Sequence, residues 1–158
     1  GAATAPSPSA APAAPQAQPD TAVTRVQLEN GPLEPACTLE NVVDMSNERP
    51  FPGANAVYTL PRDKVVKMIG FATLKSKGEA LGAFTAYLAS TAGVYKLNGL
   101  TQLDRPDVVA FFNNASGMLK SGYHLDADLR GVPAGDYAVY LQRAGAPACP
   151  THHTLRIQ

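Results

Sequence analysis

No tryptophan occurs in this chain, and cysteine and histidine are scarce, at two and three residues among 158. Each shortage narrows the chemistry. With only His124, His152 and His153, and no G-x-S-x-G elbow, nothing points to a nucleophile–histidine–acid arrangement. Two cysteines far apart give neither a C-x-x-C redox pair nor a zinc-ligand spacing. Charged residues are 16% of the chain and cancel, 13 basic against 13 acidic, which gives no electrostatic basis for binding nucleic acid or an anionic membrane surface. No apolar run reaches the roughly 20 residues that span a bilayer, so a membrane is expected as a partner only through an anchor outside this chain. A phosphate-cradling glycine loop is also missing, and no cofactor is expected.

What is there begins with residues 1–21, almost wholly Ala, Pro, Ser and Gln, with Asp20 as the first charge. Such a composition buries too little apolar surface to offset the entropy of ordering it, and predicts a disordered, semi-extended linker. Linkers of this kind join exported domains to membrane or lipid anchors; the plain alternative is a free tail. Residues 22–158 then read as one domain. Cys37 and Cys149 lie near its two ends, and an even cysteine count beside an export-style linker predicts a disulfide between them.

Within the domain, Val23, Val26 and Leu28 suggest a short strand before the turn Asn30-Gly31-Pro32, and Cys37–Val43 a second. Ala56–Leu60, Val65–Leu74, Ala83–Ser90 and Val94–Leu97 follow as strands, the run VVKMIGFATL having the continuous apolar character of a central one. Tyr123, Leu125, Ala127 and Leu129 alternate with His124, Asp126, Asp128 and Arg130, the pattern of an antiparallel sheet with one packed face. Gly135-Asp136-Tyr137 opens a later strand in the manner of a tyrosine corner, whose hydroxyl bonds nearby backbone. His152–Ile157 closes the domain. The only helical signal is Asp104-Arg105-Pro106-Asp107-Val108-Val109-Ala110-Phe111-Phe112-Asn113-Asn114, with Asp104 as its expected N-cap. About seven to nine strands and one short helix at about 105–113 predict an all-β fold, an antiparallel immunoglobulin-like β-sandwich.

Several short motifs fall in one order along this domain: Cys37 with Leu39, Gly70-Phe71-Ala72, Arg105-Pro106-Asp107-Val108, Ser121-Gly122-Tyr123, Gly135-Asp136-Tyr137 and Cys149. In this order the chain resembles the β-sandwich accessory domains at the C-terminal, periplasmic ends of bacterial polytopic membrane proteins, some of them glycosyltransferase-like. Phe71 stands where that pattern carries tryptophan. The resemblance implies a periplasmic or cell-surface domain without chemistry of its own.

Three alternating residues, His124, Asp126 and Asp128, project from one strand face, but a solvated face explains them better than a cation site, and no metal is expected. Sugar rings stack on aromatic faces, and Tyr58, Tyr87, Tyr95 and Tyr140 are the available platforms. Tyr140, opposite Tyr137 in its strand, is expected to be exposed. Arg105 is left spare by this account: it either pairs with an acidic neighbour or faces a ligand, and it joins Tyr95 and Tyr140 as a candidate ligand or partner contact. The expected function is a non-enzymatic, exported accessory or recognition domain binding an envelope glycan or protein partner. The alternatives are the soluble domain of a pilin or surface-fibre subunit, and a small envelope hydrolase.

Overall fold

The computed structural model describes residues 13–29 and 36–158. In chain order the elements are strand β1 (Gln18–Pro19), helix α1 (Arg25–Leu28), then β2 (Asn41–Asp44), β3 (Arg49–Pro50), β4 (Gly53–Ala54), β5 (Val57–Leu60), β6 (Val65–Phe71), β7 (Thr73–Leu74), β8 (Glu79–Ala80), β9 (Ala83–Ser90) and β10 (Gly93–Leu100). Helix α2 (Pro106–Phe111) precedes β11 (Gly122–Asp128), β12 (Gly135–Gln142) and β13 (Cys149–Ile157). The strands form a seven-stranded sheet, β1-β10-β9-β12-β13-β5-β4, a four-stranded sheet, β11-β6-β2-β3, and the small ribbon β7-β8. The all-β, sandwich-like fold is thus as expected. One pairing departs from the antiparallel expectation: β5 lies parallel to β13, with Tyr58 opposite Leu155.

Period-two patterning builds the core. In β6, Val66, Met68 and Gly70 are buried while Val65, Lys67, Ile69 and Phe71 are half-buried on the other face. Val66 and Met68 join Tyr123, Leu125 and Ala127 of β11 in one cluster with Phe84, Ala86 and Leu88 of β9 and Tyr137, Val139 and Leu141 of β12. A leucine as deeply buried as Leu88 or Leu141 stabilises the fold by roughly 2 kcal/mol. Gly70 is required by a close approach: a Cβ there would stand 2.3 Å from the Thr38 carbonyl oxygen. Tyr137 forms the expected corner, its hydroxyl donating to the Pro133 carbonyl at 2.9 Å.

Cys37 and Cys149 are bonded, with Cα atoms 6.0 Å apart. Cys37 bridges to Ala72 beside the end of β6, and Cys149 pairs with Leu141 of β12, so the bond ties the chain beside the four-stranded sheet to the seven-stranded one. Among the described residues, no helix is long and apolar enough to cross a membrane.

The structure revises four local expectations. Val23–Leu28 is not a strand. Thr24 accepts from the Gln27 amide at 3.3 Å and the Gln27 side chain accepts from the Thr24 amide at 2.9 Å, a capping box that starts α1. Part of the expected linker belongs to the domain: β1 pairs with β10, and Ala17 is 6% exposed within the core. The rest of that segment up to residue 12, and the turn Asn30-Gly31-Pro32, lie outside the described residues.

Helix α2 is shorter than expected and is not capped by Asp104, which pairs with Lys120 instead. Arg105 occupies the cap position without a side-chain cap bond, and Asn113 and Asn114 enter the left-handed region at φ 55° and 62° after the helix ends. Finally, Tyr140 is 7% exposed rather than open. It does point away from Tyr137, but the outer face of its sheet is covered: Tyr87, Ala89, Val94 and Tyr140 pack under Leu28 of α1 and Ala148.

Candidate functional site

The three residues singled out from sequence do not meet. Tyr95 is half-buried and presents its ring edge-on to Tyr137 at 6.1 Å. Tyr140 lies in the separate cluster on the outer face. Arg105 stands against the four-stranded sheet, its guanidinium 5.3 Å from the centre of the Phe71 ring.

Arg105 has a structural task. It donates to Glu40 through Nη1 at 3.0 Å and Nη2 at 3.2 Å, and to Asp107 through Nε and Nη2, both at 2.9 Å. The two carboxylates raise its already high pKa, Asp107 contributing most, and the same hydrogen bonds hold the Asp107 carboxyl below the usual carboxylate range. Pro106 lets Asp107 fall in the first turn of α2, where the helix end also favours an acid. A single arginine therefore links α2, the Phe71 face and the extended segment ahead of β2.

That segment leads to a cleft. Glu40 donates its amide to the Ile69 carbonyl at 2.7 Å, and its carboxylate also accepts from the Thr38 hydroxyl at 2.9 Å. Beyond it opens a cleft of about 400 Å³, lined by Glu40, Asn41, Pro50, Phe51, Tyr58 and His153. Tyr58 is placed by the inward face of β5, and its hydroxyl donates to the Leu39 carbonyl at 2.9 Å, tying the two sheets together at the cleft floor. Its ring lies where Gly53 has no side chain: a Cβ at that position would meet Tyr58 Cε1 at 2.7 Å. Burial, with the Glu40 charge as a lesser cause, pushes the Tyr58 phenol up from its ordinary pKa, so it stays a neutral donor.

His153 stacks on Tyr58, ring centres 5.6 Å apart, and its Nδ1 lies 3.0 Å from the Thr151 carbonyl oxygen. It owes this position to an irregularity in β13. His152 sits at φ 58° where the register with β12 shifts, and the chain regains its pairing at Thr154. The cleft rim carries a second unusual backbone feature. Asn55 and Ala56 form the two-residue turn between β4 and β5 at φ 53° and 62°, a hairpin geometry that glycine or asparagine normally supplies at the second position. A left-handed alanine costs roughly 1 kcal/mol or more, and its carbonyl accepts from the Thr154 amide at 2.9 Å, which fixes the turn against β13.

The cleft thus offers two aromatic surfaces, Phe51 and His153, a carboxylate and an amide. Such a set binds hydroxyl-rich molecules by stacking and hydrogen bonding. Of its residues the sequence suggested only Tyr58 as a platform. Glu40 and Arg105 are 65 positions apart, and no local pattern joins them. His124 is exposed on β11, while Asp128 is buried and bound to Arg130 at 2.7 and 2.9 Å. Among the described residues, no three His, Cys, Asp or Glu side chains gather as a metal site would require. Comparison of the chain with protein-family models, with curated proteins and with solved structures finds no match.

Proposed function

We propose that this is a non-catalytic, exported recognition domain of a cell-envelope protein, binding an envelope glycan through the cleft between Glu40 and His153. The observation that carries the reading is the cleft itself. Half-buried rings of Phe51 and His153 stand beside the Glu40 carboxylate and the Asn41 amide, on a scaffold held by an inter-sheet disulfide. Arg105 acts in this reading as a positioning residue, because its two bonds to Glu40 hold the carboxylate at the cleft margin. The bridge supports export to an oxidising compartment such as the periplasm or cell surface. The Tyr137 corner and the inter-sheet bond support an immunoglobulin-like version of the sandwich.

The test is a titration of the isotope-labelled chain with soluble fragments of envelope glycans, neutral and amino-sugar oligosaccharides alike, recording backbone amide shifts. Saturable shifts at Glu40, Asn41, Phe51, Tyr58 and His153, weakened in His153→Ala, are expected. A flat response at these residues across the whole panel would sink the glycan reading.

A further inference from the structure

The Glu40 cleft carries a charge pattern that narrows what it can hold. Of the side chains that line it, only Glu40 bears a fixed charge. Arg49 neighbours Pro50 in β3, but adjacent strand residues point to opposite faces, so with Pro50 at the cleft Arg49 faces away. Cations on the other strands nearby are taken: Arg156 of β13 pairs with Asp136, and Lys67 of β6 with Asp126. Arg105 does reach Glu40, yet it also serves Asp107. Two carboxylates against one guanidinium leave this group with one negative charge in excess. Burial, and then the Glu40 charge, raise the pKa of the Tyr58 phenol at the cleft floor, so the charge is felt inside.

The hydrogen-bonding capacity left open has the same sense. A carboxylate has about four lone-pair positions. Glu40 uses three of them: Oε1 accepts from Arg105 Nη1, and Oε2 from Arg105 Nη2 and the Thr38 hydroxyl. Oε1 therefore keeps one acceptor position. At His153, the Thr151 carbonyl can only accept, so Nδ1 carries the proton. Nε2 of the neutral ring is then a further acceptor, without a partner among the described residues. The Asn41 side-chain oxygen takes the Val42 amide at 3.0 Å, which leaves its NH2 group to meet a sugar hydroxyl. The cleft volume of about 400 Å³ lies at the small end of small-molecule sites, roughly 300–1,000 Å³, and suits a terminal sugar rather than a long glycan face.

Resting on the glycan reading above, we infer that this cleft selects a terminal amino sugar with a free ammonium group and rejects sugars bearing carboxylate or phosphate. The ammonium donates to the open position on Glu40 Oε1, a charge-assisted bond to the one charged group of the lining. An N-acetylated sugar presents only a neutral amide at the same place. An acidic sugar meets like charge there with no cation in the lining to offset it. Arg105 sets the preference from outside the cleft: it holds the carboxylate in orientation, while Asp107 keeps it from cancelling the charge.

The test titrates the full labelled chain, at low salt and below the pKa of the sugar amine, with oligosaccharides of equal length: a glucosamine oligomer, its fully N-acetylated form and a uronate oligomer. Saturable amide shifts at Glu40, Asn41, Phe51 and His153 are expected with the free amine, and none with the uronate. The amine should bind at least roughly tenfold more tightly than the N-acetylated form, a margin that shrinks as salt is raised. Glu40→Gln keeps the shape of the side chain and should bind both forms alike. Should that variant fail to fold, Asp107→Asn decides: Asp107 does not line the cleft, and the margin should shrink because Arg105 then cancels the Glu40 charge. Equal or weaker binding of the free amine, uronate binding as tight as the amine, or a margin that survives in folded Glu40→Gln would overturn the selection and leave the glycan reading standing. A flat response to all three oligomers overturns the selection, and the glycan reading falls with it only if the rest of the envelope-glycan panel is silent too.

Discussion

Reducing the Cys37–Cys149 bond should bring the domain close to the limit of its stability. The bond spans 112 residues. In the chain-entropy treatment the unfolded state loses freedom with the logarithm of that span, which gives about 5 kcal/mol at 25 °C for a loop of this size. Domains have a total stability of roughly 5–15 kcal/mol, so the bond is a large share of the whole. Reduction is a better probe than substitution, because Cys37 and Cys149 are 1% and 4% exposed and alanine would add a cavity to the lost bond. With no tryptophan in the chain, urea unfolding is followed by tyrosine fluorescence and far-ultraviolet circular dichroism. For a urea dependence of about 1–3 kcal/mol per molar, the midpoint should fall by about 2–5 M on reduction. The slope should also rise, because the reduced unfolded chain exposes more surface. A midpoint that moved by less than about 0.5 M with an unchanged slope would refute the reasoning. It would mean that the unfolded chain already keeps its two ends together without the bond.

Two further perturbations address the sandwich corner and the pH response. Tyr137→Phe removes only the hydroxyl that donates to the Pro133 carbonyl. Because Pro133 is exposed and water can replace the lost donor, the expected cost is about 1 kcal/mol, read as a fall in Tm of about 4 °C by calorimetry. An unchanged Tm would mean that the ring alone makes the corner. Asp44 accepts from the Ser46 amide at 2.9 Å and hydroxyl at 2.7 Å and lies 3.1 Å from Lys64, and these partners, Ser46 first, lower its pKa from 3.8 to about 2. A carboxyl with a lowered folded-state pKa stabilises the fold above its unfolded value and loses that contribution as pH falls through the folded one. Stability should therefore drop between about pH 4 and pH 2 more steeply in the native chain than in Asp44→Asn. Parallel stability–pH profiles for the two, measured by urea titration, would exclude the assignment.

The features that could be read from the sequence are those whose cause is local. Strict alternation in Tyr123–Arg130 is a property of neighbouring residues, and the buried set Tyr123, Leu125, Ala127 and Leu129 follows from it. The Gly135-Asp136-Tyr137 corner bonds a carbonyl only four residues upstream. Even the disulfide, though distant in sequence, involves the only two cysteines. Tyr140 failed for the opposite reason. Its orientation followed from alternation, but its burial depends on Leu28 from a segment more than a hundred positions away. For Arg105 the sequence left an acidic neighbour and a ligand equally open, because Glu40, which shares it with Asp107, has no sequence relation to it. The cleft gathers residues from the segment before β2 and from β2, β3, β5 and β13, so only the parallel pairing of β5 with β13 brings Tyr58 and His153 together.

The alanine- and proline-rich segment shows where composition misleads. Low hydrophobicity argues that such a stretch cannot fold by itself, and that inference concerns a chain with nothing to bind. Residues 15–19 do not fold by themselves; they join a sheet edge that already exists. The sheet supplies the ordered partner, Ala17 is small enough to enter the core between β10 and β11, and proline fixes an extended backbone in advance. Proline also lacks an amide proton, and the bonding respects this: Pro15 contributes only its carbonyl, while Ala17 and, just past the segment, Asp20 donate their amides. The residues that make the segment unable to form a core are the same ones that let it fit that edge.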